Sequence, residues 1–331
     1  MKRRDFIVLF GGAAIGWSRV AISVANELRR IGVLMGISEG EAEVQPRLIA
    51  FRQVLQDLGW TEGRNVQIDY RFSVADPNKM RTAAAELISL KPDVLLAQST
   101  PETRVLLKQT RTVPIVSPIL ADPIGSGLVE SFARPGGTVT GFTNFEEGMG
   151  GKWLGLLKEI APDVTSVAIA LHPNDEAPST EVQRALRTAA SSLGVELTSI
   201  RDVHIERAFD AFARDAFARK SNIGLIVLPG VYTEASRYSI VPFATKYRWP
   251  AIYPFRDYVK AGGLMSYGAD PSDAFQRAAS YVDRILRGAK PAQLPIQAPT
   301  SFRLVINLWA AKVLDLTVPP SLLARADEVI E

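Results

Sequence analysis

The chain has 331 residues, 47% of them apolar and 22% charged, and its formal net charge is +3. This composition is typical of a folded protein of about two domains of ~100–200 residues each, and it excludes a disordered or collagen-like chain. The sequence contains no cysteine, which excludes disulfides, thiol catalysis and a cysteine-linked lipid anchor. Because the basic residues are dispersed, we expect no nucleic-acid partner.

The N-terminus has the features of an export signal. Residues 2–4 (Lys-Arg-Arg) are basic, residues 6–17 form an apolar run rich in small side chains, and residues 23–25 offer small side chains for cleavage. The run is too short to span a bilayer comfortably, and the arginine pair resembles the twin-arginine motif. We therefore predict that residues 1–28 are an export signal of a periplasmic protein. A retained N-terminal anchor or an amphipathic helix is the alternative.

Strand and helix patterns alternate along the first part of the chain. Continuous apolar runs predict buried strands, and apolar residues at helical spacing predict helices. Strands and helices are predicted in turn over residues 30–36, 46–58, 65–72, 76–90, 94–97, 101–110 and 114–120. This order predicts a parallel sheet with helices on both faces.

The same plan is predicted again further along the chain. Helices and strands alternate over residues 152–160, 164–171, 179–193, 195–200, 206–219, 224–228, 234–247 and 250–254. A helix at residues 271–286 and an apolar strand and helix within residues 294–314 are predicted after them.

Residues 122–144 lie between the two series. We predict a short helix at Leu128–Phe132 there and a strand at Thr138–Phe142, and a second crossing strand at residues 262–268. The predicted fold is α/β, with two doubly wound parallel-sheet lobes joined by a hinge of two or three crossing strands. The predicted lobes are residues 29–142 plus 268–300, and residues 143–267 plus 301–331. Lobes joined in this way close on a ligand by hinge bending.

Candidate ligand-binding residues follow the strands, because open parallel sheets bind ligands beyond the carboxyl ends of their strands. The candidates are Ser38, Gln98, Ser99, Thr100, Ser117, Asp122, Asn144, Asn174, Tyr232, Tyr253 and Tyr267. The tyrosines are predicted to line an apolar pocket, with plain core positions as the alternative. Ser38 and Asn174 are predicted to donate to a polar ligand group or to cap their loops.

Residues 99–101 are the most specific of these candidates. Thr100 is predicted to be the N-cap of a helix and Pro101 its first residue, an arrangement that suits a ligand carboxylate. An ordinary capped helix without a ligand is the alternative. Asp122 is predicted either to pair with a ligand ammonium or to serve as a cap or a hinge contact.

Sequence signals for catalysis or for a cofactor are weak. His172 and His204 are the only histidines, and no metal-ligand spacing, nucleophile elbow or complete phosphate or dinucleotide loop is present. We predict a non-enzymatic protein without a cofactor or metal. Two alternatives stay open: a two-lobed enzyme that uses the same cleft, and a regulator of the sugar-repressor type, which would need an N-terminal helix-turn-helix.

Seven stretches together resemble one known family, the ABC-transporter substrate-binding proteins called ABC_sub_bind. They read RRIGVLMG, AFRQVLQDLGWTEGRNVQIDYR, AAELISLKPDVLLAQSTPE, DPIGSGLVESFARPGGTVTGF, PAIYPFRDYVKAGGLMSYG, YVDRILRGAKPAQLP and NLWAAKVLDLTVPPSLLARADEVIE. The resemblance implies the type I periplasmic-binding fold and a receptor that delivers a small solute to an ABC permease and ATPase. The family's ligands suggest an aromatic or related amino acid. We expect the receptor to be a monomer.

Overall fold

The computed structural model of the protein describes residues 28–146, 148–175, 177–202, 204–218 and 222–331. The predicted export signal therefore lies, apart from Leu28, outside the described residues. No helix in the described ranges is long and apolar enough to cross a membrane.

The first sheet has five strands, all parallel, in the order β2-β1-β3-β4-β5. Its strands are β1 (Arg29–Met35), β2 (Val66–Phe72), β3 (Val94–Ala97), β4 (Ile115–Leu120) and β5 (Val139–Thr143). The helices between them are α1 (Val44–Asp57), α2 (Pro77–Ser89) and α3 (Thr100–Gln109). Strands β3, β4 and β5 are buried along their whole length, as expected for apolar runs covered on both faces. We call this sheet and the helices packed on it the first lobe.

The second sheet has seven strands in the order β12-β11-β10-β9-β8-β6-β7. Its strands are β6 (Ser166–Ala170), β7 (Glu196–Ile200), β8 (Ile223–Val227), β9 (Ala251–Tyr253), β10 (Met265–Gly268), β11 (Arg303–Asn307) and β12 (Glu328–Ile330). Strand β10 pairs with β11 in antiparallel fashion, and the other described pairs are parallel. We call this sheet and its helices the second lobe.

Nine helices follow β5 in the described chain. They are α4 (Met149–Ile160), α5 (Thr180–Leu193), α6 (Ile205–Ala218), α7 (Val231–Ala235), α8 (Arg237–Lys246), α9 (Arg256–Lys260), α10 (Pro271–Leu286), α11 (Leu308–Val313) and α12 (Pro320–Leu323). Helix α10 returns to the first lobe, where it packs on α1 and β4. A 3₁₀ turn at Pro291–Gln293 follows it.

The chain passes between the lobes three times, after β5, after β10 and before β11. Residues 294–297 run beside β5 before the last passage. There the Thr143 N–H donates to the Gln297 carbonyl at 2.9 Å, and the Thr140 hydroxyl donates to the Leu294 carbonyl at 2.6 Å. Two sheets joined by three passages match the predicted architecture. The exact lobe boundaries stay a prediction.

Two predicted helices were wrong in detail. Leu128–Phe132 is not helical, because residues 123–127 form a turn and the N–H groups of Leu128 and Val129 both donate to the Pro123 carbonyl. The single helix predicted at residues 234–247 is the pair α7 and α8, which are separated at Ser236. Helix α9, helix α12 and strand β12 were not predicted. Each has only three to five residues, too few for a periodic pattern.

The two lobes are packed against each other. Val231 and Tyr232 belong to the first turn of α7 in the second lobe, yet both are buried within the apolar core of the first lobe. The carboxyl ends of the two sheets therefore face each other at close range, which is the closed arrangement of the cleft.

Candidate ligand-binding site

A small cavity lies where the start of α3 in the first lobe meets the start of α7 in the second. Its volume is about 30 Å³. Its lining residues are Gln98, Ser99, Thr100, Pro101, Ile119, Ala121, Asn144, Asp175, Pro229, Gly230, Val231, Glu234 and Phe255. We call it the central cavity. This volume holds about two water molecules, so the closed cleft has room for one small polar group.

Four predicted site residues, Gln98, Ser99, Thr100 and Asn144, come together at the central cavity. The side chains of two of them accept hydrogen bonds from backbone N–H groups. Gln98 Oε1 accepts the Gly36 N–H at 2.8 Å, and Thr100 Oγ1 accepts the Ala121 N–H at 3.1 Å. Asn144 differs, because its Oδ1 is buried and has no hydrogen-bond partner in the structure. A buried amide oxygen without a partner is costly, so this atom is suited to receive a ligand donor.

The start of α3 differs from the prediction by one residue. Ser99 rather than Thr100 is the N-cap, and Thr100 is the first helical residue. Glu102 completes a capping box: its Oε2 accepts the Ser99 N–H at 3.0 Å and the Ser99 hydroxyl at 2.7 Å. The carboxylate of Glu102 therefore already occupies part of the positive end that was predicted to attract a ligand carboxylate.

Three predicted residues of the first lobe lie away from the central cavity. Ser117 is fully buried within β4. Asp122 Oδ1 accepts the Gly125 N–H at 2.9 Å, which is the capping role that was one of its two predicted alternatives. The Ser38 carbonyl accepts the Glu41 N–H at 3.1 Å in the loop before α1.

The predicted polar residue of the second lobe, Asn174, is exposed, and its N–H donates to His172 Nδ1. The predicted tyrosines are also distributed away from the central cavity. Tyr232 is buried with its ring stacked on His172 at 5.1 Å, and Tyr253 is buried with its ring stacked on Tyr258 at 5.1 Å. The ring of Tyr267 stacks on that of Phe302, with the ring centroids 5.7 Å apart. These four residues do not line the central cavity, and their roles in binding stay predictions.

Asp175 is a site residue that the sequence analysis missed. It is 4% exposed and lines the central cavity. Its carboxylate accepts the N–H groups of Tyr232 at 3.0 Å and Thr233 at 2.8 Å, and the Thr233 hydroxyl at 2.8 Å, so it caps α7. The signal was present, because Asp175 follows a buried strand just as the neighbouring candidate Asn174 does.

Buried carboxyl groups concentrate at this junction. Desolvation by burial raises the pKa of Glu102 to about 7, although hydrogen bonds from Ser99 oppose the shift. Burial also raises the pKa of Asp175 to about 6 against the hydrogen bonds from Tyr232 and Thr233. Neighbouring negative charges add to this effect: Asp175 raises the pKa of Glu102, and Glu234 raises the pKa of Asp175.

Two arginines form ion pairs that cross between the lobes, and we call these contacts the interlobe arginine pairs. Arg47 on α1 is 2% exposed, and its Nη2 lies 2.5 Å from Oε1 of Glu234 on α7. Arg237 on α8 is fully buried and donates to Glu41 at 2.5 Å and Glu43 at 2.9 Å, just before α1. The closed arrangement therefore buries charges from both lobes in mutual contact.

Gly36 marks a close approach of the lobes. A methyl group at Gly36 would lie 2.3 Å from Glu102 Oε1 and 2.3 Å from Cγ2 of Val231 in the opposite lobe. We expect Gly36→Ala to disfavour closure, because the added methyl group pushes Val231 away. The check is the radius of gyration by small-angle scattering, which should rise. Gly40→Ala, with no heavy atom within 4 Å of its added carbon, is the matched control and should leave the radius unchanged.

Two further cavities continue the cleft. One of about 30 Å³ shares Ile119, Asn144 and Phe255 with the central cavity, and one of about 160 Å³ lies between Arg47 on α1 and Asp270 before α10. A larger cavity, about 680 Å³, lies beside Trp249 near the amino ends of β8 and β9. It is at the wrong end of the sheet for the ligand site of a doubly wound fold, so we assign the site to the cleft.

Residues 33–330 match the family model described as ABC transporter substrate binding protein. The chain belongs to this family. Substrate-binding proteins of ABC transporters are extracytoplasmic. Within the described residues, no group of histidines and carboxylates could hold a metal ion.

Similar proteins agree with this assignment. A tyrosine-binding protein of Clostridioides difficile (strain R20291) is 24% identical over 270 residues, 80% of this chain and 75% of that protein. A conserved domain protein from Vibrio cholerae has 28% identity and a TM-score of 0.80, with 92% of this chain and 100% of that chain covered. An ABC domain from Streptococcus pneumonia in complex with L-Trp has 24% identity and a TM-score of 0.81 over the same shares.

More distant structures share the fold of this ABC transporter substrate-binding protein. A leucine-binding protein from Thermotoga maritima is 12% identical with a TM-score of 0.56, over 78% of this chain and 83% of that chain. The predicted fold class, two α/β lobes of the type I periplasmic-binding kind, is confirmed.

Proposed function

We propose that this protein is the periplasmic receptor of an ABC importer, which captures a small organic solute between its lobes and delivers it to a permease and an ATPase. The class of solute is an amino acid or an aromatic acid. The observation that carries the proposal is Asn144 Oδ1, a buried acceptor without a partner at the cavity between Ser99 and Asp175 of opposite lobes. A tyrosine-binding relative and a relative with bound L-Trp support the solute class.

The size of the central cavity indicates how capture proceeds. A volume of about 30 Å³ is far below the ~300–1,000 Å³ of common ligand pockets, so a solute cannot enter the closed protein. It binds to a more open form, and the three passages between the lobes provide the hinge. Closure then brings Asn144 and Phe255, which border two of the cleft cavities, against the bound solute.

A solute that binds only the folded protein raises its stability by mass action. At a hundredfold excess over the dissociation constant the gain is about 2.7 kcal/mol. We expect the melting temperature to rise by about 5 °C, at ~2–4 °C per kcal/mol for a large domain. The measurement is a thermal-shift screen over amino acids and aromatic acids, followed by calorimetric titration of the solutes that raise the melting temperature.

The variant Asn144→Ala tests whether the solute that raises the melting temperature binds at the central cavity. It should lower the affinity about 10-fold, because one buried hydrogen bond to the solute is lost. Asn174→Ala, at an exposed asparagine outside the cavity, is the comparison and should cause a smaller loss. An equal loss of affinity in both variants would show that the solute does not bind at Asn144. Failure of every solute to raise the melting temperature would contradict the receptor function.

A further inference from the structure

The carboxyl group of Glu102 is buried at the boundary between the lobes, and its side chain has no exposed surface. Its Oε2 accepts two hydrogen bonds from Ser99. Its Oε1 is also buried and has no hydrogen-bond partner among the described residues. A buried carboxylate oxygen that has neither a donor nor a counter-charge is costly, and protonation removes the charge. The closed protein therefore favours the neutral form of this group.

The cover over this oxygen comes from the second lobe. A carbon added at Gly36 would lie 2.3 Å from Glu102 Oε1 and 2.3 Å from Val231 Cγ2, so these two atoms are no farther apart than the sum of those distances. Val231 begins α7 of the second lobe and is buried in the core of the first. Opening of the lobes withdraws Val231 and lets water reach Oε1. Closure therefore removes the hydration of an oxygen that gains no partner in exchange.

The groups that face this carboxyl group from the second lobe do not offset the loss of water. Asp175 and Tyr232 interact with it, and the negative charge of Asp175 disfavours a second negative charge nearby. Glu234 lines the same cavity as Asp175, and its partner is Arg47. His172 is stacked on Tyr232, and burial lowers its pKa, which favours the uncharged ring. The second lobe thus adds negative rather than positive charge.

The first-lobe elements around this group supply no compensating cation either. Strands β3 and β4 and the carboxyl end of β1 carry no charged side chain. On α3 itself, Arg104 and Lys108 are exposed to solvent. Asp76, just before α2, interacts with Tyr232 and adds a further negative charge on this side of the cleft. The geometry at the boundary therefore penalises an ionised Glu102 only while the lobes are closed.

We propose that closure of the lobes takes up a proton at Glu102, so that mildly acidic solution favours the closed form and rising pH favours the open form. This linkage concerns the empty protein and does not depend on which solute it binds. One consequence rests on the proposed receptor function: a receptor built in this way retains its solute more firmly as the solution becomes more acidic.

The sign of the effect follows from the pKa of Glu102 in the two arrangements. Burial raises it to about 7 in the closed protein, and hydration in the open form returns it toward ~4.3, the usual value for glutamate. A group whose pKa is raised by closure stabilises the closed form at low pH, and this contribution is lost as the pH rises through about 7. The ratio of closed to open molecules should therefore fall about 10-fold between about pH 6 and about pH 8.

The absence of cysteine allows the lobes to be labelled selectively. Lys79→Cys on α2 and Ser192→Cys on α5 place one spin label in each lobe at exposed positions. Double electron–electron resonance then gives the ratio of closed to open molecules of the empty protein from about pH 5.5 to about pH 8.5. A second series carries Arg47→Met, which raises the open fraction and keeps the ratio measurable. We expect the same fall of about 10-fold in both series.

Glu102→Gln removes the titrating group without removing the helix cap, because glutamine also satisfies a capping box. Its ratio of closed to open molecules should stay high and should not change between about pH 6 and about pH 8. Glu86→Gln removes the same charge at an exposed position of α2 and should keep the original pH dependence. Val231→Thr places a hydroxyl at the position of Cγ2, where it can donate to Oε1 of Glu102. This donor stabilises the carboxylate, so the closed form should persist to higher pH.

The titration of Glu102 is measured directly by the ¹³C shift of its carboxyl carbon, assigned by the loss of this signal in Glu102→Gln. We expect a midpoint near about 7 in the closed protein. A midpoint near ~4.3, a ratio that stays constant with pH in both series, or a Glu102→Gln protein with the original pH dependence would each overturn the proposal. None of these results bears on the receptor function, which is tested by solute binding.

Discussion

Replacing Gly141 with alanine is expected to destabilise the protein by at least about 4 kcal/mol, the range reserved for severe backbone and packing defects. Gly141 has φ = +148°, which side-chain-bearing residues rarely adopt. A methyl group there would also lie 1.9 Å from the Ser117 carbonyl oxygen. That oxygen belongs to the neighbouring strand β4, so it cannot move without disturbing the register of Ser117 and Gly141.

The substitution Gly141→Ala would also disturb the hinge between the lobes. The Gly141 carbonyl accepts the Gln297 N–H at 3.2 Å, and this bond helps to hold residues 294–297 beside β5. The expected loss corresponds to a fall in melting temperature of more than about 8 °C, at ~2–4 °C per kcal/mol. Thermal unfolding followed by circular dichroism is the measurement.

Gly155→Ala is the matched control for this substitution. Gly155 is exposed in the middle of α4, with no heavy atom within 4 Å of its added carbon. Alanine there should stabilise the protein by about 1 kcal/mol, because glycine is a poor helix former. A Gly141→Ala protein as stable as the original would show that β4 and β5 separate easily, contrary to their buried parallel pairing.

Replacing Arg47 with methionine is expected to open the cleft. The substitution leaves Glu234 buried, 2% exposed, without the guanidinium that pairs with it. Removing one partner of a buried ion pair costs about 3–5 kcal/mol, which the protein avoids by separating its lobes and hydrating the carboxylate. Scattering should give a larger radius of gyration. Solute affinity should fall about 100-fold or more, since each ~1.4 kcal/mol lost from the closed state is tenfold.

Two variants test this explanation. Arg47→Met combined with Glu234→Gln removes both charges and should restore much of the closed population, because an uncharged amide is far less costly to bury. Arg71→Met breaks the exposed pair with Glu86 and should change stability by less than about 1 kcal/mol. If Arg47→Met keeps the original radius and affinity, the interlobe arginine pairs do not hold the lobes together.

The repeating plan was predictable because each element carries its own local signal. The apolar run Ile31–Met35 is buried in β1, and the helical spacing of residues 46–58 is α1. The short elements were not predicted correctly, because they carry too little local signal and depend on contacts from elsewhere in the chain. The start of α7 at Val231 is capped by Asp175, which comes from another loop more than fifty residues away in sequence, so no local pattern specifies it.

The candidate site was only partly predictable. The strand-end rule found Gln98, Ser99, Thr100 and Asn144, because the carboxyl ends of parallel strands share one edge. The sequence Ser99–Glu102 also contains the capping-box pattern, whereas the prediction places the cap at Thr100 and so gives Glu102 no role. The contact of Arg47 with Glu234 joins residues 187 positions apart, and no local pattern specifies such a partner.

The strand order of the second sheet has a consequence for biosynthesis. Strand β11 pairs with β10 and strand β12 pairs with β11, so a nascent chain that still lacks residues 303–330 leaves the edge of β10 bare. An uncovered edge invites pairing with other polypeptides. The second sheet therefore needs residues 303–330 to cover this edge, and we expect a chain truncated before residue 303 to aggregate more readily than the intact protein.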